Sequence, residues 1–511
     1  MSKIKEHFEA TKKLALAIKR TDVYSWLLDG GYFAENYVMP PCFTVNKRPS
    51  LPKFFFKRTG TSKKYSPTRH ELVNFHFPKS EYTDRTFGII HPHIHNDIAL
   101  NIAWVWSDIC AVLFHKDNIV SSYSFPLPIS SKILGRLTTI RSGRMIYEYI
   151  GMTEEDIASE AYRYEYVVKA DIKNFYPSIY THSIAWSLHG KNFVRKKGNI
   201  QNYSLVGNRL DKLFQCANDG CTNGIPIGPV VSDVISELIV ASVDREFSLE
   251  IKKEQIDCEV ARFKDDYRIL AKSESDAKRL IKLLQSALKS FNLELSDEKT
   301  SISKLPDGLF RDWVSKYYSV NPSKKESYSW KEFREIYLSV VKIDKECPGT
   351  GVIDRFLSDI INKQGELRVN VSIFNLKKVI SMLLMLGRLR IKAFPKIMAI
   401  IEVIIKSPWG ILHKYTIVDY LKSFLVELSK EEFRNKYLIS WLCYFLVSNK
   451  LDGNIKSIIT LSDPITKSIL NNRNSLFTNQ NDFKLFEGCV SSGRRISLVK
   501  HLDVFDPPKL R

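Results

Sequence analysis

The spacing of apolar and polar positions changes several times along this chain, and each change marks an element. Tyr166-Val167-Val168-Lys169-Ala170-Asp171-Ile172 is a short apolar run that reads as a strand carrying a carboxylate at its end. Cys258–Phe263 and Tyr267–Ala271 read as two further strands, with Lys264-Asp265-Asp266 as the tight turn of a hairpin between them. Asn223-Gly224-Ile225-Pro226-Ile227-Gly228-Pro229 is a Gly/Pro-rich turn that opens a helix near Pro229, where a missing N–H costs nothing. Val231, Val234, Ile235, Leu238 and Ser242 recur at helical spacing on its buried face. Residues 276–291 predict one more helix, giving strands packed on helices.

Residues 1–40 read as helical, and residues 71–165 as mixed. Beyond residue 320 the texture changes. Asn321-Pro322-Ser323-Lys324-Lys325-Glu326-Ser327 reads as a linker, and from Trp330 onward apolar residues recur at three and four. Val379, Leu383 and Leu386 form one such stripe; Leu438, Trp441, Leu442 and Phe445 form another. The pattern predicts stacked helices without a clean repeat period. The expected division is residues 1–165, residues 166–320 and a helical domain over residues 321–511.

The charge narrows the partners. A formal net charge of +20 over 511 residues exceeds what solubility needs and implies a polyanion. Residues 41–70 hold eight Lys and Arg side chains and no Asp or Glu, with Phe43, Phe54, Phe55, Phe56 and Tyr65 interleaved. Rings beside cations suit single-stranded nucleic acid, and a basic loop whose rings enter the core is the equal alternative. The eight cysteines show no paired metal-ligand spacing, so buried reduced thiols are expected. His91, His93 and His95 alternate as on one face of a strand, without acidic or Cys companions that would make them ligands. The greasiest tail segments are interrupted by Glu402, Lys406 and Pro408, so no membrane span is expected. The first residues lack an apolar signal core, which points to a cytoplasmic location.

Two adjacent carboxylates at a hairpin tip repel one another, and a divalent cation removes the repulsion. Asp171 supplies a third carboxylate from a separate strand. In this order the pieces resemble the motifs of the reverse transcriptase palm. Asp171-Ile172-Lys173-Asn174-Phe175-Tyr176 is similar to motif A, Gly224-Ile225-Pro226-Ile227-Gly228-Pro229 to motif B, and Phe263-Lys264-Asp265-Asp266 to the Tyr-x-Asp-Asp box. Phe291–Thr300 resembles motif D. The form of motif B, the early Arg85-x-x-Gly88-Ile89-x-x-Pro92 and the long helical tail resemble the bacterial abortive-infection (AbiK/AbiA-like) branch.

The resemblance implies an α+β fold. Fingers and palm, an antiparallel sheet packed on helices, would be followed by an all-α, helical-repeat-like C-terminal domain in place of a thumb. It implies two Mg²⁺ ions held by Asp171, Asp265, Asp266 and the main-chain carbonyl of Ile172. Lys299 would protonate or neutralise the leaving pyrophosphate, with an ordinary solvated lysine as the alternative. Tyr176 would be the steric gate against a ribose 2′-hydroxyl, whereas Phe175 reads as a core ring. Ile227 and Gly228 would lie against the incoming nucleotide, and Arg141 and Arg144 would bind its triphosphate. Two departures matter: Phe263 replaces the Tyr of the box, and Ile227 stands where templated enzymes carry Gln.

The implied activity is Mg²⁺-dependent DNA synthesis from dNTPs without a conventional template, with priming on a protein hydroxyl, in bacterial anti-phage defence. Tyr24, Tyr32 and Tyr37 are suitable tyrosines near the N-terminus, but nothing selects among 23. Implied partners are dNTPs, single-stranded DNA, RNA and further copies of the chain through its helical domain. The alternatives are a conventional RNA-templated enzyme of the retron or intron kind and a non-catalytic nucleic-acid-binding scaffold.

Overall fold

The structure, a computed structural model, describes residues 3–34, 38–45, 56–59, 62–78, 84–125, 151, 154, 158–362, 365–474, 476–477, 484–490 and 498. Two antiparallel hairpins come first: β1 (Phe56–Thr59) with β2 (Ser62–Tyr65), and β3 (Val73–Pro78) with β4 (Asp84–Ile89). A five-stranded sheet follows, built from β5 (Ser121–Ser122), β6 (Tyr166–Asp171), β7 (Cys258–Phe263), β8 (Asp266–Ala271) and β9 (Ser301–Lys304). Its order is β5-β7-β8-β6-β9, with β6 antiparallel to both neighbours and only β5–β7 parallel. The sequence places all three predicted strands of this sheet.

The helix Glu274–Ser290 packs on β6, β8 and β9. Ala277, Leu280, Leu284 and Leu288 are buried on its inner face, and each buried Leu stabilises by about 1.5–3 kcal/mol. It starts two residues earlier than its apolar period suggests because Ser273 caps it, accepting the Asp276 N–H at 3.0 Å. The helix Val230–Glu254 lies against it. Val231, Val234, Ile235 and Leu238 are fully buried there, as their spacing predicts. Val240, Val243 and Phe247 are buried too, so this helix is enclosed around more of its circumference than one stripe.

From Trp330 to Leu470 the described elements are helices, joined by isolated bridges. The first is capped by a reciprocal Ser329/Glu332 box. The helix Glu432–Ser448 reaches back to the N-terminal half. Its Tyr437 ring packs against Phe77 of β3 at 4.8 Å, and Trp441 donates to the Val38 carbonyl at 3.3 Å. One cluster of buried side chains extends from Ala15 to Leu498.

The structure alters several expectations. His91, His93 and His95 lie on no strand; Pro92 opens the helix Pro92–Trp104, and buried His95 pairs with the Leu27 carbonyl at 2.9 Å. Within residues 321–327, Asn321 is buried and joins Tyr317, Tyr328 and Asp359 in one hydrogen-bonded group, while residues 322–327 are exposed and lie in no helix or strand. In the basic stretch, Phe43 and Tyr65 are core rings, as the second of the two readings has it. Phe54, Phe55 and Tyr37 lie outside the described residues. The two N-terminal helices end at Leu28, and the chain beyond turns with Tyr32 and Phe33 buried. All eight cysteines are free, five of them buried. Among the described residues no helix is long and apolar enough to cross a membrane.

Candidate active site

Three acidic residues lie where β6 ends and β8 begins. The register sets Asp171, last residue of β6, directly opposite Asp266, first residue of β8. Residues opposite one another in an antiparallel pair project from the same face. Asp265 precedes Asp266 in a two-residue loop whose first member, Lys264, has φ 54°. The Ile172 N–H donates to the Asp265 carbonyl at 3.1 Å, closing the loop onto β6. On the other side the Ser296 N–H donates to the Asp171 carbonyl at 2.8 Å, and the Lys173 N–H to the Glu294 carbonyl at 2.8 Å. The backbone around Asp171 is therefore held from both flanks.

Asp171 is buried, and Lys299 clasps both its carboxylate oxygens at 2.9 and 3.0 Å. Lys299 thus pairs with Asp171 while its side chain stays about half exposed. Burial, then the charge of Asp171, pushes the Asp265 carboxyl above the usual carboxylate range. Asp266 is pushed up to about 6, by burial first and by Asp265 next, with Arg268 opposing. Lys264, Arg268 and Lys299 offset only part of the burial and mutual repulsion that raise Asp265 and Asp266, and an added cation relieves the rest. The donors are all hard oxygens, which fits Mg²⁺ in chemical type. Among the described residues no group of three or more His, Cys, Asp or Glu side chains is gathered tightly enough to cage an ion alone. Magnesium takes one or two carboxylates and completes its shell with phosphate and water oxygens, so the acids present still fit it.

The loop is fastened from beneath by residues that sequence reasoning missed. Asp233, Glu237 and Asp244 lie four and eleven residues apart on the helix Val230–Glu254, and so on one face. Lys264 pairs with Asp233 at 3.2 Å. Arg262, fully buried, binds Glu237 and Asp244 and donates to the Lys264 carbonyl at 3.0 Å. Tyr267 donates to Asp244 at 2.7 Å. Burial works to raise the Glu237 carboxyl, but the Arg262 charge and the Ser122 and Ser124 hydroxyls hold it below its ordinary range. The available signal was an apolar helix bearing acids at that spacing.

Tyr176 follows the short turn after Asp171, and its hydroxyl donates to Asp233. Burial and the Asp233 charge push that phenol above its ordinary range. Phe175 and Phe263 are both buried core rings. The Gly/Pro loop is tied on two sides. Gly88 donates its N–H to the Ile227 carbonyl at 3.0 Å, and Ile225 donates to the Tyr176 carbonyl at 3.1 Å. Gly228 has φ 117°, and a Cβ there would meet Ala34 and Phe87 at 3.0 Å, so no larger residue fits. The structure thus brings together Asp171, Ile172, Asp265, Asp266 and Lys299, with Tyr176 joined to the hairpin through Asp233 and Lys264. Arg141 and Arg144 lie outside the described residues.

An antiparallel sheet thus presents paired carboxylates at a hairpin tip, opposite a third on the adjoining strand. Residues 126–333 match the family described as Reverse transcriptase (RNA-dependent DNA polymerase). Residues 126–333 therefore carry a reverse-transcriptase domain, a domain of the nucleotidyltransferase kind. Among solved structures it is similar to apo telomerase from Candida Tropicalis truncated from its C-terminal domain, at 13% identity and TM-score 0.30, over 48% of this chain and 52% of that one. The untruncated apo telomerase of that organism aligns at 11% identity and TM-score 0.35, over 75% and 70%. Telomerase from Candida albicans with a TWJ fragment of telomeric RNA aligns at 10% and 0.23, over 58% and 52%. The chain thus spans about half the length of the first of these. Likeness this low carries no functional argument. No curated protein matches the chain.

Proposed function

We propose that this protein is a Mg²⁺-dependent DNA polymerase that joins dNTPs without a conventional template, primes on a hydroxyl of its own chain, and serves in abortive-infection defence against phage. The observation that carries the reading is the convergence of Asp171 and Asp266 across β6 and β8, with Asp265 beside them and Lys299 on Asp171.

A pair of divalent cations, when bound, would supply activation of the attacking hydroxyl and charge neutralisation for the leaving pyrophosphate. Asp171, Asp265 and Asp266 would hold them, with the Ile172 carbonyl as a further ligand. The attacking oxygen forms a bond to the α-phosphorus, loses its proton, and displaces pyrophosphate. Lys299 pairs with Asp171, which supports a role in neutralising or protonating that leaving group. Tyr176 is the gate that excludes a 2′-hydroxyl, with Ile227 and Gly228 against the nucleotide and Arg141 and Arg144 on its triphosphate. An aliphatic Ile227 offers no side-chain hydrogen bond to a template–nucleotide pair, which supports relaxed template use. The +20 charge supports nucleic-acid partners, and the helical region beyond residue 320 supports self-association.

The test is to incubate the purified protein with each labelled dNTP, without primer, and to resolve the products under denaturing conditions. Label retained on the protein band is the expected result. Label that appears only with an added RNA template, and follows its sequence, would replace this reading with a conventional reverse transcriptase.

A further inference from the structure

Residues 172–210 contain no Asp or Glu. The acid-free run starts one residue after Asp171 and carries Lys173, Lys191, Arg195, Lys196, Lys197 and Arg209. In a chain where a quarter of residues are charged, this is a large one-signed stretch. Its centre is a loop between the helices Lys191–Val194 and Val206–Ala217.

That loop is built rather than slack. Asn199 donates through its side chain to the Phe193 carbonyl at 3.0 Å. Asn208 donates to the carbonyls of Asn199 and Asn202 at 2.7 and 3.0 Å, and Arg209 to that of Tyr203 at 2.9 Å. With these carbonyls satisfied from within, the loop holds its shape while Arg195, Lys196 and Lys197 stand exposed. None of the three has a carboxylate partner among the described residues. Phe193 and Ile200 beside them are 45% and 62% exposed. Three adjacent unpaired cations on a fixed loop repel one another, and a polyanion removes that cost.

The loop is also moored to the active-site edge. Lys191 donates to the Ser290 carbonyl at 2.6 Å, and Ser183 to the Phe291 carbonyl at 3.3 Å. The chain from there runs to Glu294, whose carbonyl takes the N–H of exposed Lys173, two residues past Asp171.

We propose that the 191–200 loop is a docking surface for a single nucleic-acid strand, with Arg195, Lys196 and Lys197 on its phosphates and Phe193 stacked on a base. Cations for the backbone beside an exposed ring are the chemistry that single strands select. The bond to Ser290 ties the loop to the segment that runs on to Glu294 and the Lys173 N–H, on the flank of the proposed polymerase centre, and the inference rests on that reading for its purpose. Binding and chemistry are nevertheless measured separately.

The experiment uses the full chain and a fluorescein-labelled oligodeoxythymidine of about 20 nucleotides, followed by anisotropy across a salt series. Replacing Arg195, Lys196 and Lys197 by Ser is expected to weaken binding at least about tenfold at low salt and to make the log–log salt slope shallower by about 2. Phe193→Ser is expected to weaken binding with the slope unchanged. Asp265→Asn is expected to stop nucleotide transfer and leave binding intact, so failure of the polymerase reading and of this one are told apart. Should the triple variant misfold, Lys196→Glu alone gives the same comparison. An unchanged slope and affinity overturns the proposal. So does loss of binding to anionic phosphatidylserine vesicles without loss of oligonucleotide binding, which would make the loop a membrane contact.

Discussion

Arg262 and Glu237 face each other through two parallel hydrogen bonds, Nη1 to Oε2 at 3.0 Å and Nη2 to Oε1 at 2.8 Å, with both side chains buried. The pair joins the strand before the acidic loop to the helix Val230–Glu254, and Arg262 also donates to the loop carbonyl of Lys264. Removing the arginine leaves Glu237 and Asp244 buried without their cation. Arg262→Met is therefore expected to destabilise the fold by about 3–5 kcal/mol, read by denaturant unfolding. Adding Glu237→Gln to Arg262→Met should recover part of that loss. A purely additive double variant would show that the pair does not act together.

Tyr176 is held by Asp233, and Asp233 also holds Lys264 of the acidic loop. If the ring is the sugar gate, its position depends on that carboxylate. Asp233→Ala should lower the ratio of kcat/KM for dNTP over rNTP on the order of tenfold, and Tyr176→Ala should lower it at least as far. An unaltered ratio in Tyr176→Ala would remove the gate from the account.

Lys299 occupies Asp171 in the structure and so competes with any cation for it. Lys299→Ala is expected to lower the Mg²⁺ concentration needed for half-maximal activity while reducing kcat on the order of 100-fold. A variant with unchanged kcat would make Lys299 a structural partner of Asp171 only.

His182 pairs with Asp211, and that hydrogen bond raises the imidazole above its ordinary value against the opposing effect of burial. The stabilisation is complete below the unfolded value of about 6.5 and is lost as pH rises through the higher folded value. Thermal melting should therefore fall with rising pH above about 6.5, and His182→Gln should flatten that part of the profile. An identical profile in the variant would contradict the assignment.

The acids and the turn that carries two of them were legible because their signals are local. A strand ending in Asp, a hairpin with adjacent acids and a Gly/Pro loop opening a helix each declare themselves within ten residues, although Asp266, read as a turn residue, is the first residue of β8. Arg262 was not legible as a buried residue because Glu237 and Asp244 lie 25 and 18 positions away. The three alternating histidines misled because three residues cannot distinguish a strand from a helix start, and Pro92 at the first helical turn was the better signal. Asn321 reads as linker from composition alone, yet Asp359 and Tyr317 give it a buried place.

The central claim is that Asp171, Asp265 and Asp266 together hold a pair of divalent cations for nucleotidyl transfer. Manganese binding followed by electron paramagnetic resonance, with a non-hydrolysable dNTP analogue present, tests it most directly. The account predicts about two ions per chain in the native protein and at most one in Asp171→Asn or Asp265→Asn, with the fold intact by circular dichroism. The same stoichiometry and affinity in native and variant proteins would contradict it.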